Sequence, residues 1–105
     1  MTSLGSNRQP ATVEHFNCLR GESGLKWKDV LRKLGLKEAL IESICVDHRE
    51  YGVQEMFYQG LLEWKECFGE KATTKKLCDV LREARCTEAL QKLREGMVAE
   101  MLFYF

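Results

Sequence analysis

The sequence predicts an all-α fold, six short helices packed as a bundle of mostly antiparallel neighbours, and three observations carry that expectation. Apolar residues recur at helical spacing in six successive segments. The segments are punctuated by glycines suited to stopping a helix and by threonines suited to capping one. No stretch of useful length alternates with period two, as a half-buried strand would. Links of about 2 to 6 residues between segments are short enough to lay consecutive helices side by side.

In chain order, residues 1–11 are small and polar, end near Pro10 and read as a flexible leader. Val13, Phe16 and Leu19 mark a first helix with Thr12 as its N-cap, closed by "GESG" at 21–24. Trp27, Val30, Leu31 and Leu34 follow the i, i+3, i+4, i+7 template of a second, and Gly35 stands where a left-handed stop is wanted. Leu40, Ile41, Ile44 and Cys45 form the stripe of a third, which runs out in the polar "DHRE" at 47–50. The fourth is the clearest: Val53, Met56, Phe57, Gly60, Leu61, Trp64 and Phe68 hold the pattern for over four turns before Gly69. Thr73 or Thr74 caps a fifth helix buried through Leu77, Val80, Leu81 and Ala84. Thr87 caps a sixth that uses Ala89, Leu90, Leu93 and Met97. Trp27 and Trp64 read as core anchors.

With 105 residues the chain has the length of one domain. It is 45% hydrophobic and 30% charged, with no net formal charge, which is too apolar for disorder and too balanced for a non-specific polyanion binder. Nothing approaches the roughly 18 to 20 apolar residues that span a bilayer, and "MTSLGSNRQPA" lacks the apolar centre of a secretory signal. A cytoplasmic chain without membrane insertion is expected. Five cysteines, an odd number at irregular spacing without a Cys-x-x-Cys pair, fit reduced thiols.

Two longer stretches, "WKDVLRKLGLKEALIESI" and "LLEWKECFGEKATTKKLCDVLREARCTEALQKL", carry a resemblance. The Trp and Leu-Gly-Leu of the first, the "LLEW" of the second, its Gly-x-x-Ala-Thr before the fifth helix and its Leu-x-x-x-Leu-Arg within that helix are similar to the death domains. The match covers roughly residues 12–95, and "DHREYGVQEMFYQGLLEW" looks most like the death domains of receptor-interacting kinases and tumour necrosis factor receptors. The resemblance implies a six-helix antiparallel Greek-key bundle over 12–96 that binds no cofactor and catalyses nothing. It implies assembly with other death domains, homotypic or heterotypic, through asymmetric surfaces in apoptotic, inflammatory or NF-κB signalling.

Charge by segment is where this chain's own chemistry shows. Residues 25–37 carry five Lys or Arg against Asp29, residues 38–70 eight carboxylates against Arg49 and Lys65, and residues 71–85 five cations against Asp79 and Glu83. With Trp27, Val30, Leu31 and Leu34 turned inward, Lys28, Arg32 and Lys33 form an outer basic patch on the second helix. Glu55, Glu63 and Glu66 form its acidic counterpart on the fourth, flanked by Gln59 and Leu62. Glu42, Asp47 and Arg49 complete the expected partner-binding set. Opposite patches on different faces favour head-to-tail contacts, self-association among them, that weaken with salt. Arg32→Glu is then expected to lower assembly without lowering stability.

Other chemistries find less support. Lys26, Lys28, Arg32 and Lys33 could face nucleic acid, but no motif sets a recognition helix in a groove and eight carboxylates follow at once. His15 with Cys18 and Cys45 with His48 each lie one helical turn apart and could be imagined as a zinc site, although such residues at helix ends are more often packing and surface residues. The tail "MVAEMLFYF" has no counterpart in the family pattern and reads as an apolar extension of the sixth helix over 97–105, either docked on the bundle or exposed for self-association. A structural or regulatory appendage of a larger receptor or kinase, with its partner surface elsewhere, is the alternative function.

Overall fold

The computed structural model describes residues 9–22 and 26–103, with side chains described through Met97. It holds six α-helices: α1 (Val13–Arg20), α2 (Trp27–Leu34), α3 (Glu38–His48), α4 (Val53–Phe68), α5 (Thr74–Glu83) and α6 (Thr87–Phe103). Short 3-10 turns at Arg49–Tyr51 and Gly69–Lys71 flank α4. No strand occurs among the described residues.

Packing follows the apolar stripes. α4, the second-longest helix, lies against α1, α2 and α3, while α2 also meets α5, and α6 meets α1 and α5. The helices thus close in the order α3, α2, α5, α6, α1, α4, with several neighbours far apart in sequence, which is the Greek-key arrangement rather than a simple up-and-down bundle. Trp64 is fully buried at the centre, its ring 6.3 Å from that of Phe16 and tilted 57° to it. Leu19, Leu31, Leu34, Ile41, Leu61, Leu77, Leu81 and Leu93 are fully buried around it, as are Val30 and Val80.

The helix ends explain the register. Thr12 and His15 form a reciprocal cap on α1, with Thr12 N–H donating to His15 Nδ1 at 3.0 Å. Thr73, not Thr74, caps α5: its hydroxyl accepts from Lys76 N–H at 3.1 Å. α2 and α5 stop in the same way. Gly35 N–H donates to Arg32 O (3.0 Å) and Leu36 N–H to Leu31 O (3.1 Å); Arg85 N–H donates to Arg82 O (3.0 Å) and Cys86 N–H to Leu81 O (2.9 Å). Both are Schellman stops and both need a left-handed residue, Gly35 at φ 107° and Arg85 at φ 60°.

Four local expectations are corrected. Val13 and Val53, placed in apolar stripes, are 41% and 39% exposed. Each is the first residue of its helix, and its side chain leans toward the N-terminus and off the end of the packed body. Thr87 is the first residue of α6 rather than its cap, because Leu90 N–H donates to Cys86 O (3.0 Å) and the stop of α5 hands Cys86 directly to the next helix.

The flexible leader expected over 1–11 is tied down at its last residues. Ala11 N–H donates to Ala72 O and Thr74 N–H to Gln9 O, both at 2.9 Å, and Lys65 Nζ donates to Ala11 O at 2.5 Å. Ala11, at the end of this strap, is fully buried. Residues 1–8 lie outside the described residues.

Candidate protein-interaction surface

α2 turns Trp27, Val30, Leu31 and Leu34 inward, so residues 28, 29, 32 and 33 face outward by helical period alone. Lys28 is half-buried, its Nζ 5.6 Å from the Trp27 ring centroid, a distance at which the cation favours the ring face. Arg32 is not a bare charge. Its Nη1 donates to Asp29 Oδ1 at 2.7 Å, and its Nε and Nη2 grip the Glu38 carboxylate at the start of α3. That hydrogen-bonded guanidinium holds the Glu38 carboxyl below the ordinary range. Lys33 is exposed and makes no ion pair among the described residues.

The acidic set divides in the same way. Residues 55, 63 and 66 do share one face of α4, as the spacing expects. Glu55, however, is half-buried and pairs with Arg20 of α1, and Gln59 Nε2 donates to its other oxygen at 2.7 Å. The Gln59 hydrogen bond and the Arg20 charge hold its carboxyl below the ordinary range. Arg20 lies 4.1 Å from the Tyr58 ring centroid as well, so α1 and α4 are joined by stacking and charge together. Glu63 and Glu66 are exposed and make no ion pair among the described residues. Glu42 and Asp47 on α3 and Arg49 in the turn after it are exposed, on a different helix from either patch.

Two surface features escaped the sequence reading. A groove of about 570 Å³ opens between the α2–α3 link, the start of α3 and the end of α4, lined by Leu36, Ala39, Leu40, Cys67 and Phe68. Val46 (69%) and Tyr51 (65%) are large apolar side chains left in solvent beside Asp47 and Arg49. The stripe pattern could have flagged Val46, since it falls off the Ile41, Ile44, Cys45 face.

The four residues considered for zinc give no support to that reading. His15 Nδ1 accepts the Thr12 N–H, and no group of three or more His, Cys, Asp or Glu among the described residues could hold a metal. The five cysteines are not joined in disulfides, and burial pushes the thiols of Cys78 and Cys86 up. No described helix is long and apolar enough to cross a membrane. Met97 packs against the core and α6 continues to Phe103, but the side chains from 98 onward, on which the two readings of the tail turned, lie outside the described residues.

Comparison with known proteins agrees with this architecture. The chain is 33% identical over 92 residues to human receptor-interacting serine/threonine-protein kinase 1, an alignment covering 87% of this chain and 14% of that protein. It is 32% identical over 80 residues to the tumor necrosis factor receptor type 1-associated DEATH domain protein of Xenopus laevis, covering 71% of this chain and 26% of that protein. The chain therefore spans a minor part of the length of the relatives it matches. The family model described as "Death domain" matches residues 14–97, from the first turn of α1 into α6, and the chain belongs to the death-domain family.

Proposed function

We propose that this death domain is a non-catalytic interaction module that assembles with other death domains in apoptotic, inflammatory or NF-κB signalling in the cytoplasm. The carrying observation is the separation of unpaired charge, with Lys33 and the ring-supported Lys28 outside α2 and Glu63 and Glu66 outside α4. Cations on one helix and carboxylates on another suit an asymmetric, head-to-tail contact, in which charge steers encounter and sets register. Arg32, paired with Asp29 and Glu38, and Glu55, paired with Arg20, border these two patches and add little free charge to them. Glu42, Asp47 and Arg49 would serve a further contact around α3, where Val46 and Tyr51 add apolar area.

The test is capture of the matched segment of the human kinase, and self-association, by the wild-type chain and by Lys33→Glu. The variant should weaken association threefold or more at low salt with an unchanged Tm, and added salt should shrink the difference. Association that is insensitive to both the reversal and salt would remove the charged patches from the interface. The 14% coverage of the kinase favours a second reading, an appendage of a longer receptor or kinase whose partner surface lies elsewhere. Failure of the wild-type chain to associate with either probe would leave that reading standing.

A further inference from the structure

The groove between the α2–α3 link, the start of α3 and the end of α4 belongs to neither charged patch. It holds about 570 Å³, within the range of roughly 300–1,000 Å³ typical of small-molecule sites. Eight residues line it, far fewer than the roughly 20–30 that each side of a stable protein interface supplies. A small ligand therefore fits this surface better than a folded partner does.

Its floor is apolar and is held from within. Leu36 belongs to the core, and Leu40 and Phe68 pack against that core while lining the groove. A Cβ on Gly35 would stand 2.7 Å from Cζ of Phe68, so the ring closes over residue 35 as far as only glycine permits. Lys37 is the one charged residue in the lining, exposed and without an ion pair among the described residues. Its neighbour Glu38 does not neutralise it, because that carboxylate is gripped by Arg32 of α2. An apolar trough with one uncompensated cation complements a molecule that has a hydrocarbon body and an anionic head.

We propose that this groove is a binding site for a fatty carboxylate of medium chain length, its hydrocarbon against Leu36, Leu40 and Phe68 and its carboxylate on Lys37 Nζ. Burial of the chain supplies the non-directional part of the affinity, and the charge-assisted hydrogen bond to the ammonium fixes which way the molecule lies. Cys67 is a native reporter of occupancy, because it lines the groove and is the one exposed thiol among the five cysteines.

The probes are decanoate and its uncharged counterpart 1-decanol, at equal concentrations below the micelle threshold of the acid and the solubility of the alcohol. The readout is the rate of Cys67 alkylation by a maleimide, located by peptide mass, with and without probe in each protein. Decanoate should slow the wild-type reaction saturably, about fivefold or more at saturation, and decanol should do so only at higher concentration. Lys37→Glu should weaken decanoate about tenfold and leave decanol within about twofold. Ala39→Trp, at an exposed position in the lining, should abolish protection by both without lowering Tm. If that variant folds poorly, Ser43→Trp, exposed and one turn along α3, blocks the groove in its place. A wild-type alkylation rate indifferent to decanoate overturns the proposal; if Ala39→Trp then lowers capture of the matched human kinase segment, the groove is a protein contact instead. Protection that survives both tryptophan variants puts the ligand elsewhere, and decanoate protection unchanged by Lys37→Glu removes the cation from the site. Either result overturns the proposal as well.

Discussion

Replacing Gly60 by alanine probes the closest approach in the core. Gly60 lies in the middle of α4, where alanine is the better helix former by about 1 kcal/mol. Local propensity therefore predicts a gain. Packing predicts the reverse, because a Cβ on residue 60 would stand 2.4 Å from Cδ1 and 2.9 Å from Cδ2 of Leu31 on α2. Carbon atoms in contact prefer about 3.5–4.0 Å. Leu31 is fully buried, so its isobutyl group has no solvent to swing into and must displace its neighbours or push α2 and α4 apart.

Overpacking of this kind costs about 1–3 kcal/mol and occasionally more. The 2.4 Å approach puts this case at about 2–3 kcal/mol, so after the propensity gain a net loss of roughly 1–2 kcal/mol remains, or about 4–10 °C in Tm for a domain of this size. Thermal and urea unfolding would measure it. The decisive comparison is a double-mutant cycle with Leu31→Ala, which alone should cost about 2–5 kcal/mol by leaving a cavity. Because the new methyl group occupies part of that cavity, the double variant should lose clearly less than the sum of the two. A Gly60→Ala protein at least as stable as wild type, or strict additivity in the cycle, would refute the claim that residue 60 is glycine for packing.

Two further outcomes follow from the helix ends and the surface pairs. Thr73→Ala should destabilise the domain by about 0.5–2 kcal/mol, because the Lys76 N–H loses its side-chain acceptor at the start of α5; denaturant unfolding with no measurable loss would contradict that cap. Glu38, Glu55 and Asp79 have carboxyls held below the ordinary range by Arg32, by Gln59 with Arg20, and by Lys75 with Arg82 respectively. Their contribution is complete above the unfolded carboxylate pKa of about 4 and is lost as pH falls through the lower folded values. Tm should therefore fall on acidification below about pH 4, less steeply in Asp79→Asn than in wild type, and an identical slope in the two proteins would count against the pairing.

Periodicity made the six helices legible, because each buries one stripe and the stripe is local in sequence. It also showed Gly60 inside the α4 stripe, though nothing local revealed that Leu31, on another helix, is what excludes a side chain there. The strap formed by Gln9 and Ala11 is not legible in the sequence, because it is held by backbone hydrogen bonds to Ala72 and Thr74, which no side-chain pattern encodes. Arg20 went unremarked for a related reason: its partners Glu55 and Tyr58 are 35 or more residues away. The Arg32–Glu38 pair straddles the helix break at Gly35, so neither helix alone predicts it.

Counting charge by segment finds the sign of each surface, but it overstates how much of that charge a partner can use. Arg32 is spent between Asp29 and Glu38, and Glu55 on Arg20. Exposed pairs of this kind add little to stability, so their larger effect is on the field, which they thin until it rests on a few residues. Lys33→Glu and Arg32→Glu change the formal charge of the α2 surface by the same amount, yet they are different experiments. At residue 33 the reversal leaves the Arg32 bridge in place and alters the field alone. At residue 32 it would set a third carboxylate between Asp29 and Glu38 and remove the link from α2 to α3, so an intact Tm is no longer expected there. An assembly defect shared by both variants belongs to the field. A defect confined to Arg32→Glu, with a lowered Tm, belongs to the α2–α3 junction and says nothing about a partner.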